Sequence, residues 1–193
     1  QGHTATLLPN GTQVLVVGRN NADSTFSGGV DSSRTTELYD ISAGTWSAGP
    51  VMTYGRDSHT ATLVGNSNIL LVSGGYGAGT NKVESLDLTA ATLAWTTNSP
   101  MSVSRALHTS TYIPSIDKVL VIGGYNATSQ MLSSTELFTL NASTPWSTTG
   151  NKELTLARAM HTSTLLSNGN VLVVGTYYTT SGTVSNTAEI WSP

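Results

Sequence analysis

Four copies of one short segment constrain this chain more than any other feature: His3-Thr4-Ala5-Thr6-Leu7, His59-Thr60-Ala61-Thr62-Leu63, His108-Thr109-Ser110-Thr111-Tyr112 and His161-Thr162-Ser163-Thr164-Leu165. Successive histidines stand 56, 49 and 53 residues apart, in or near the range where one repeat is one supersecondary unit of an array or propeller. A residue present once per unit is placed by architecture first. The histidines therefore enter as scaffold, with catalysis the harder case to make.

Each unit continues in the same order. An apolar run closes on glycine: Val14-Leu15-Val16-Val17-Gly18, Leu70-Leu71-Val72-Ser73-Gly74-Gly75, Val119-Leu120-Val121-Ile122-Gly123-Gly124 and Val171-Leu172-Val173-Val174-Gly175. A loop of variable length follows, then a strand led by Glu37, Glu84, Glu136 or Glu189. Trp46, Trp95 and Trp146 come 9, 11 and 10 residues after their glutamates, and Arg56, Arg105 and Arg158 stand three residues before the next histidine. Four strands per unit, A to D, account for this order.

The A segments alternate small or apolar residues with threonine, the two-residue period of a half-buried strand. The B segments are continuous β-branched and leucine runs, as in strands covered on both faces. No 3.6-residue apolar period is sustained, so no helix longer than a turn is expected. Pro9-Asn10-Gly11, Gly65-Asn66-Ser67-Asn68 and Ser167-Asn168-Gly169-Asn170 read as A–B hairpin turns, because Asn and Gly tolerate positive φ at a reversal. The glycines after B permit an exit that a Cβ would obstruct.

The apolar run with Gly74-Gly75 or Gly123-Gly124, Tyr39 followed closely by Trp46, and Arg56 ahead of the next unit together resemble the kelch repeat over essentially the whole chain. Departures are Arg19 and Thr176 at the second glycine, and Tyr39, Leu86, Phe138 and Trp191 at the aromatic position. The resemblance implies an all-β β-propeller of four-stranded antiparallel blades, the A strand nearest the axis and the tryptophan strand outermost. Residues 1–193 then form a single propeller or a segment of one, with repeats at approximately 1–56, 57–105, 106–158 and 159–193. The fourth blade ends at Pro193 without its outer strand, leaving 15 strands. Three arrangements fit: a four-blade propeller with an open edge, a segment of a larger propeller, or a protomer that borrows a strand. Gln1 in place of Met, and the absence of a signal peptide, suit a processed chain or segment.

Composition bears on the setting. Charged residues are 10% of the chain against about 25% in typical domains, whereas serine and threonine number 56 of 193. The triplets Asn10-Gly11-Thr12, Asn126-Ala127-Thr128 and Asn141-Ala142-Ser143 are N-glycosylation acceptors on turns or loops. A secreted, extracellular glycoprotein carrying N-linked glycans is the expectation. Zero cysteine removes disulfides, thiolate nucleophiles and Cys-ligated zinc. No apolar stretch is long enough for a helical membrane span. A net charge of −3 with 8 Lys and Arg lacks the footprint of a nucleic-acid binder.

The in-register Glu37, Glu84, Glu136, Glu189, Arg56, Arg105 and Arg158 are expected to form a partly buried Arg–Glu network within or between blades. The competing reading is a ring of arginines that binds anions on one propeller face. Each histidine is expected to bond a backbone or threonine group of its own blade, with no metal site, and the three tryptophans to pack as outer-strand anchors. The strongest enzymatic rival comes from the resemblance: copper radical oxidases related to galactose oxidase need a Cys-crosslinked tyrosine, which this chain cannot supply. No catalytic motif or cofactor is expected, and a carbohydrate-active or oxidase-like enzyme ranks last. The leading function is a structural building block assembling through an open blade edge. The alternative is a recognition module for a protein or glycan through the B–C loops, of which 19–36 and 176–188 are the longest, and the D–A loops.

Overall fold

The computed structural model describes residues 2–19, 34–65, 68–78, 80–150, 152–176 and 185–193. The two longest B–C loops fall largely outside them. Unit one forms β1 (Thr4–Leu7), β2 (Gln13–Val17), β3 (Thr36–Asp40) and β4 (Thr45–Ala48). Unit two forms β5 (Thr60–Val64), β6 (Ile69–Ser73), β7 (Val83–Asp87) and β8 (Trp95–Asn98). Unit three forms β9 (Thr109–Ile113), β10 (Lys118–Ile122), β11 (Thr135–Phe138) and β12 (Trp146–Thr148). Unit four supplies β13 (Thr162–Leu165), β14 (Val171–Thr176) and β15 (Ser185–Trp191). Three four-stranded sheets and one three-stranded sheet result, each in chain order. The described residues form an all-β propeller-like array whose fourth sheet has three strands, with no α-helix among them.

The continuous apolar runs are explained by their position between two blades. In β6, Leu70 and Val72 pack on Leu15 and Val17 of the first blade, while Leu71 packs on Val119 and Val121 of the third. In β10, Val119 and Val121 face backward; Leu120 and Ile122 face forward onto Val171 and Val173. Alternate side chains of one strand thus fill successive inter-blade cores, each fully buried aliphatic contributing about 1.5–3 kcal/mol. Met52, Met101 and Leu154, at one position of the D–A link, are buried in the same three cores.

The A strands β1, β5, β9 and β13 neighbour one another in sequence, while the terminal pair β1 and β13 makes no comparable contact among the described residues. Hydroxyls join them: Thr62 bonds Ser110 and Thr111 bonds Ser163. Just before these strands a backbone ladder crosses every blade boundary. Ser58 N–H donates to Gly2 O at 2.7 Å, Leu107 N–H to Ser58 O at 2.9 Å, and Met160 N–H to Leu107 O at 2.9 Å. All four residues are left-handed, with φ of 79° at Gly2, 54° at Ser58, 55° at Leu107 and 55° at Met160. A bulky residue held there carries about 1–2 kcal/mol of steric cost, which the ladder and the packing around it offset.

Candidate functional site

The repeated polar residues converge at the blade boundaries, and each link arginine reaches into the blade that follows it. Arg56 Nη2 lies 2.7 Å from Glu84 Oε2 with both side chains fully buried. Arg56 Nη1 donates to Gly74 O at 2.8 Å and to Lys82 O at 3.0 Å. Arg105 meets Glu136 Oε1 through Nε at 3.2 Å and Nη2 at 3.1 Å, and donates to Gly123 O, Ser134 O and Ser134 Oγ. Arg158 repeats the set with Glu189 Oε1, Gly175 O, Thr187 O and Thr187 Oγ1. Every one of these carboxylates also accepts two backbone N–H groups of the link: Thr53 and Tyr54 on Glu84, Ser102 and Val103 on Glu136, Thr155 and Leu156 on Glu189. The result is a plug of one guanidinium and two amides in a socket of one carboxylate and two carbonyls.

Electrostatics follows the burial. Desolvation pushes the Arg56 and Arg105 pKa values down, and the partner glutamates counter it. For Glu189, burial alone would raise the carboxyl. The bonds from Arg158, Thr155 and Leu156 outweigh it, so its pKa lies below the ordinary value. All three guanidiniums lie buried, with Nε, Nη1 and Nη2 of Arg105 and Arg158 each engaged by the socket, while Nε of Arg56 lacks a partner among the described residues. The anion-binding ring of arginines is thereby corrected: no arginine of the set presents its charge on an open face.

Glu37 is the exception. Its side chain is exposed, and among the described residues no ion pair or hydrogen bond reaches its carboxylate. The four-member glutamate network is therefore three pairs and one open carboxylate.

The histidines bridge blades, which corrects the expectation of bonds within one blade. His59 Nε2 lies 3.0 Å from Thr4 Oγ1, His108 Nε2 3.1 Å from Thr60 Oγ1, and His161 Nε2 2.9 Å from Thr109 Oγ1. In each case the threonine belongs to the preceding blade. The buried Nδ1 atoms of all three lack a partner. With the proton on Nε2, each ring donates to its threonine hydroxyl and Nδ1 is left as a bare acceptor. Burial, then the nearby arginine, lowers His108 to about 3 and His161 to about 4. His59 is lowered in the same direction. Neutral and enclosed, these rings hold neighbouring blades together. Among the described residues no three His, Asp or Glu cluster as metal ligands would.

The glycines make room for this join. A Cβ on Gly18 would stand 2.5 Å from Arg56 O and 2.8 Å from His59 Cε1 of the next blade. Gly74 and Gly123 face Arg105 and Arg158 in the same way, whereas a Cβ on Gly175 would meet nothing within 4 Å. At the second position, Gly75 and Gly124 would each put a Cβ 2.6 Å from the carbonyl after the link arginine. Thr176 replaces that glycine in blade four by shifting register and bonding Ala159 through its hydroxyl.

The tryptophans sit on the outer strands, but they pack unequally. Trp95 Nε1–H donates to Pro50 O at 3.0 Å and Trp146 Nε1–H to Ser99 O at 2.8 Å, both in the preceding blade. Trp46 is 58% exposed and rests on Tyr39 at 5.0 Å between ring centroids. Its role as a buried anchor is corrected accordingly. Asn10 and Asn141 are exposed and Asn126 is half-buried, between β1 and β2, β11 and β12, and β10 and β11 respectively. Asn126 Oδ1 accepts from Thr128 N–H and Oγ1–H. The three acceptors are dispersed and form no common site.

Sequence reasoning missed Thr4, Thr60 and Thr109 as histidine partners, and the left-handed position two residues after each arginine. One signal was available: Gly2 occupies that position one residue before His3, where its backbone is unhindered.

No family model matches this chain, and no curated protein matches it. Among solved structures, the one titled "Structure of YjhT" is similar over 100% of this chain with a TM-score of 0.75 at 18% identity. The chain spans 66% of that protein's length. At this identity the likeness concerns the fold alone.

Proposed function

We propose that this chain is a non-catalytic, kelch-type propeller scaffold in an extracellular glycoprotein, a structural building block that assembles through its fourth blade. The carrying observation is the edge of β15. In the other three blades the corresponding strand has a partner on each side, whereas β15 pairs with β14 alone among the described residues. A free seven-residue edge is a template for strand addition. Beside it, Val174 is 41% and Ile190 53% exposed, although the aliphatics Val17 and Ile122 at the position of Val174 are fully buried by a following blade.

The non-catalytic assignment is supported by the use of the repeated groups. The buried histidines and arginines are engaged in joining blades, and zero cysteine leaves no Cys–Tyr crosslink for an oxidase centre. Low charge, abundant hydroxyls and three turn-borne acceptor asparagines support the extracellular, N-glycosylated setting.

Sedimentation velocity over a concentration series, with electron microscopy of the same material, tests the assembly role. Growth into larger particles is expected. Val174→Asp, or an added outer strand after Pro193 that copies the sequence of residues 146–148, should return the chain to monomer. A monodisperse particle at every concentration refutes the building-block role and favours recognition through the B–C loops.

A further inference from the structure

Two of the four A–B turns carry an Asn-Gly step, Asn10-Gly11 between β1 and β2 and Asn168-Gly169 between β13 and β14. The two turns share a backbone frame. Gly11 N–H donates to Leu8 O at 2.9 Å and Leu8 N–H to Gln13 O at 2.8 Å. Gly169 N–H donates to Leu166 O at 2.9 Å and Leu166 N–H to Asn170 O at 2.8 Å. Both glycines are left-handed, at φ 70° and 85°, and both asparagines are exposed. The hold on the carboxamide is what differs. Asn10 Oδ1 accepts Thr12 N–H at 3.1 Å and Gln13 N–H at 3.2 Å, and its Nδ2 donates to Gln13 Oε1 at 3.1 Å. The Asn168 carboxamide is tied at one point, Oδ1 accepting Asn170 N–H at 3.0 Å, and its Nδ2 makes no hydrogen bond among the described residues.

We propose that Asn168 is a self-modifying site, deamidated by water through a cyclic imide to aspartate and isoaspartate. The Gly169 backbone nitrogen attacks Asn168 Cγ, forming a C–N bond and giving up its proton, while the Cγ–Nδ2 bond breaks and ammonia leaves. Water then opens the imide at either carbonyl, which returns aspartate or isoaspartate. The balance needs water alone, with no change of oxidation state. Glycine suits the attacking position because no Cβ shields its nitrogen. At Asn168 the unbonded Nδ2 lets the carboxamide swing toward that nitrogen, whereas at Asn10 three bonds must open first. Two extra exposed hydrogen bonds set a rate ratio of at least ~threefold between the two turns. The consequence falls on blade four. Imide formation takes the Gly169 N–H away from Leu166 O, and isoaspartate lengthens the backbone of the turn that closes on the Leu165–Val171 pair. This modification is independent of the assembly and glycan readings.

Protein made in a host without N-glycosylation keeps both asparagines as free amides. After incubation at mildly alkaline pH, peptide mapping by mass spectrometry, with isoaspartate methyltransferase labelling, reads conversion at each turn. In folded protein Asn168 should convert at least ~threefold faster than Asn10. In urea the two rates should converge, since glycine follows both asparagines. Gln13→Ala removes the acceptor of Asn10 Nδ2 and should bring Asn10 toward the rate of Asn168 in the folded protein. Equal rates in folded protein, an Asn168 that stays amidated, or a lead that persists unchanged in urea overturns the proposal, as does a Gln13→Ala variant in which Asn10 is no faster.

Discussion

Arg105→Ala is the sharpest probe of how the blades are joined. The substitution removes one guanidinium from a site whose side chains are 0% and 6% exposed. It strips Glu136 of Nε and Nη2 and leaves only the Ser102 and Val103 amides on that carboxylate. Gly123 O, Ser134 O and Ser134 Oγ lose donors at the same stroke. Removing one partner of a buried ion pair costs about 3–5 kcal/mol, because the survivor stays desolvated and unpaired. In a chain of this size about 2–4 °C of Tm accompanies each kcal/mol, so a fall of roughly 6–20 °C is expected by calorimetry. Arg158→Ala should cost less, since Glu189 is 19% exposed and water can replace part of the lost interaction. The double variant Arg105→Met with Glu136→Leu should recover most of the loss, since an apolar pair of similar volume needs no counter-charge. An unchanged Tm for Arg105→Ala, or a double variant no better than the single, refutes the reasoning.

The histidine bridges make stability pH-dependent. A base whose pKa is depressed on folding binds more protons when unfolded, so stability is lost as pH falls from 6.5 toward the folded values, about 4 for His161 and about 3 for His108. Each such group adds a slope of up to about 1.4 kcal/mol per pH unit in that window; urea midpoints should fall steadily below pH 6.5, and His108→Gln should flatten the curve. Met160, at φ 55° and 51% exposed, should tolerate glycine: Met160→Gly is expected to raise stability by up to about 1 kcal/mol through relief of the left-handed strain, and a loss of more than that in denaturant titration counts against it. Intact mass before and after enzymatic removal of N-glycans from secreted material should show a shift, abolished by replacing Asn10, Asn126 and Asn141 with Gln; no shift removes the glycoprotein part of the proposal.

Much of the fold was legible because its causes are local to the chain. Alternation in His59–Leu63, the unbroken apolar run at 69–72 and the Asn-Gly turns each act over a short stretch of chain. The same local rules recur in every unit, so all 15 strands and the short fourth blade follow from reading along the sequence. The sites were less legible. Arg56, Glu84, His59 and Thr4 repeat in register, and register is the same whether a partner lies in the same blade or the next one.

Only the packed structure fixed the partners. His59 reaches back to Thr4 while Arg56 reaches forward to Glu84, because the link between blades runs along the boundary and presents its side chains to both neighbours. The consequences at the ends are likewise tertiary. Trp46 repeats the position of half-buried Trp95 and Trp146, and Glu37 that of buried Glu84 and Glu136, yet both are exposed, since burial depends on what stands on the other side of a sheet. The sequence by itself determined what each blade is made of. Tertiary structure alone decided which groups are consumed in joining blades and which, at Glu37 and Ile190, stand exposed.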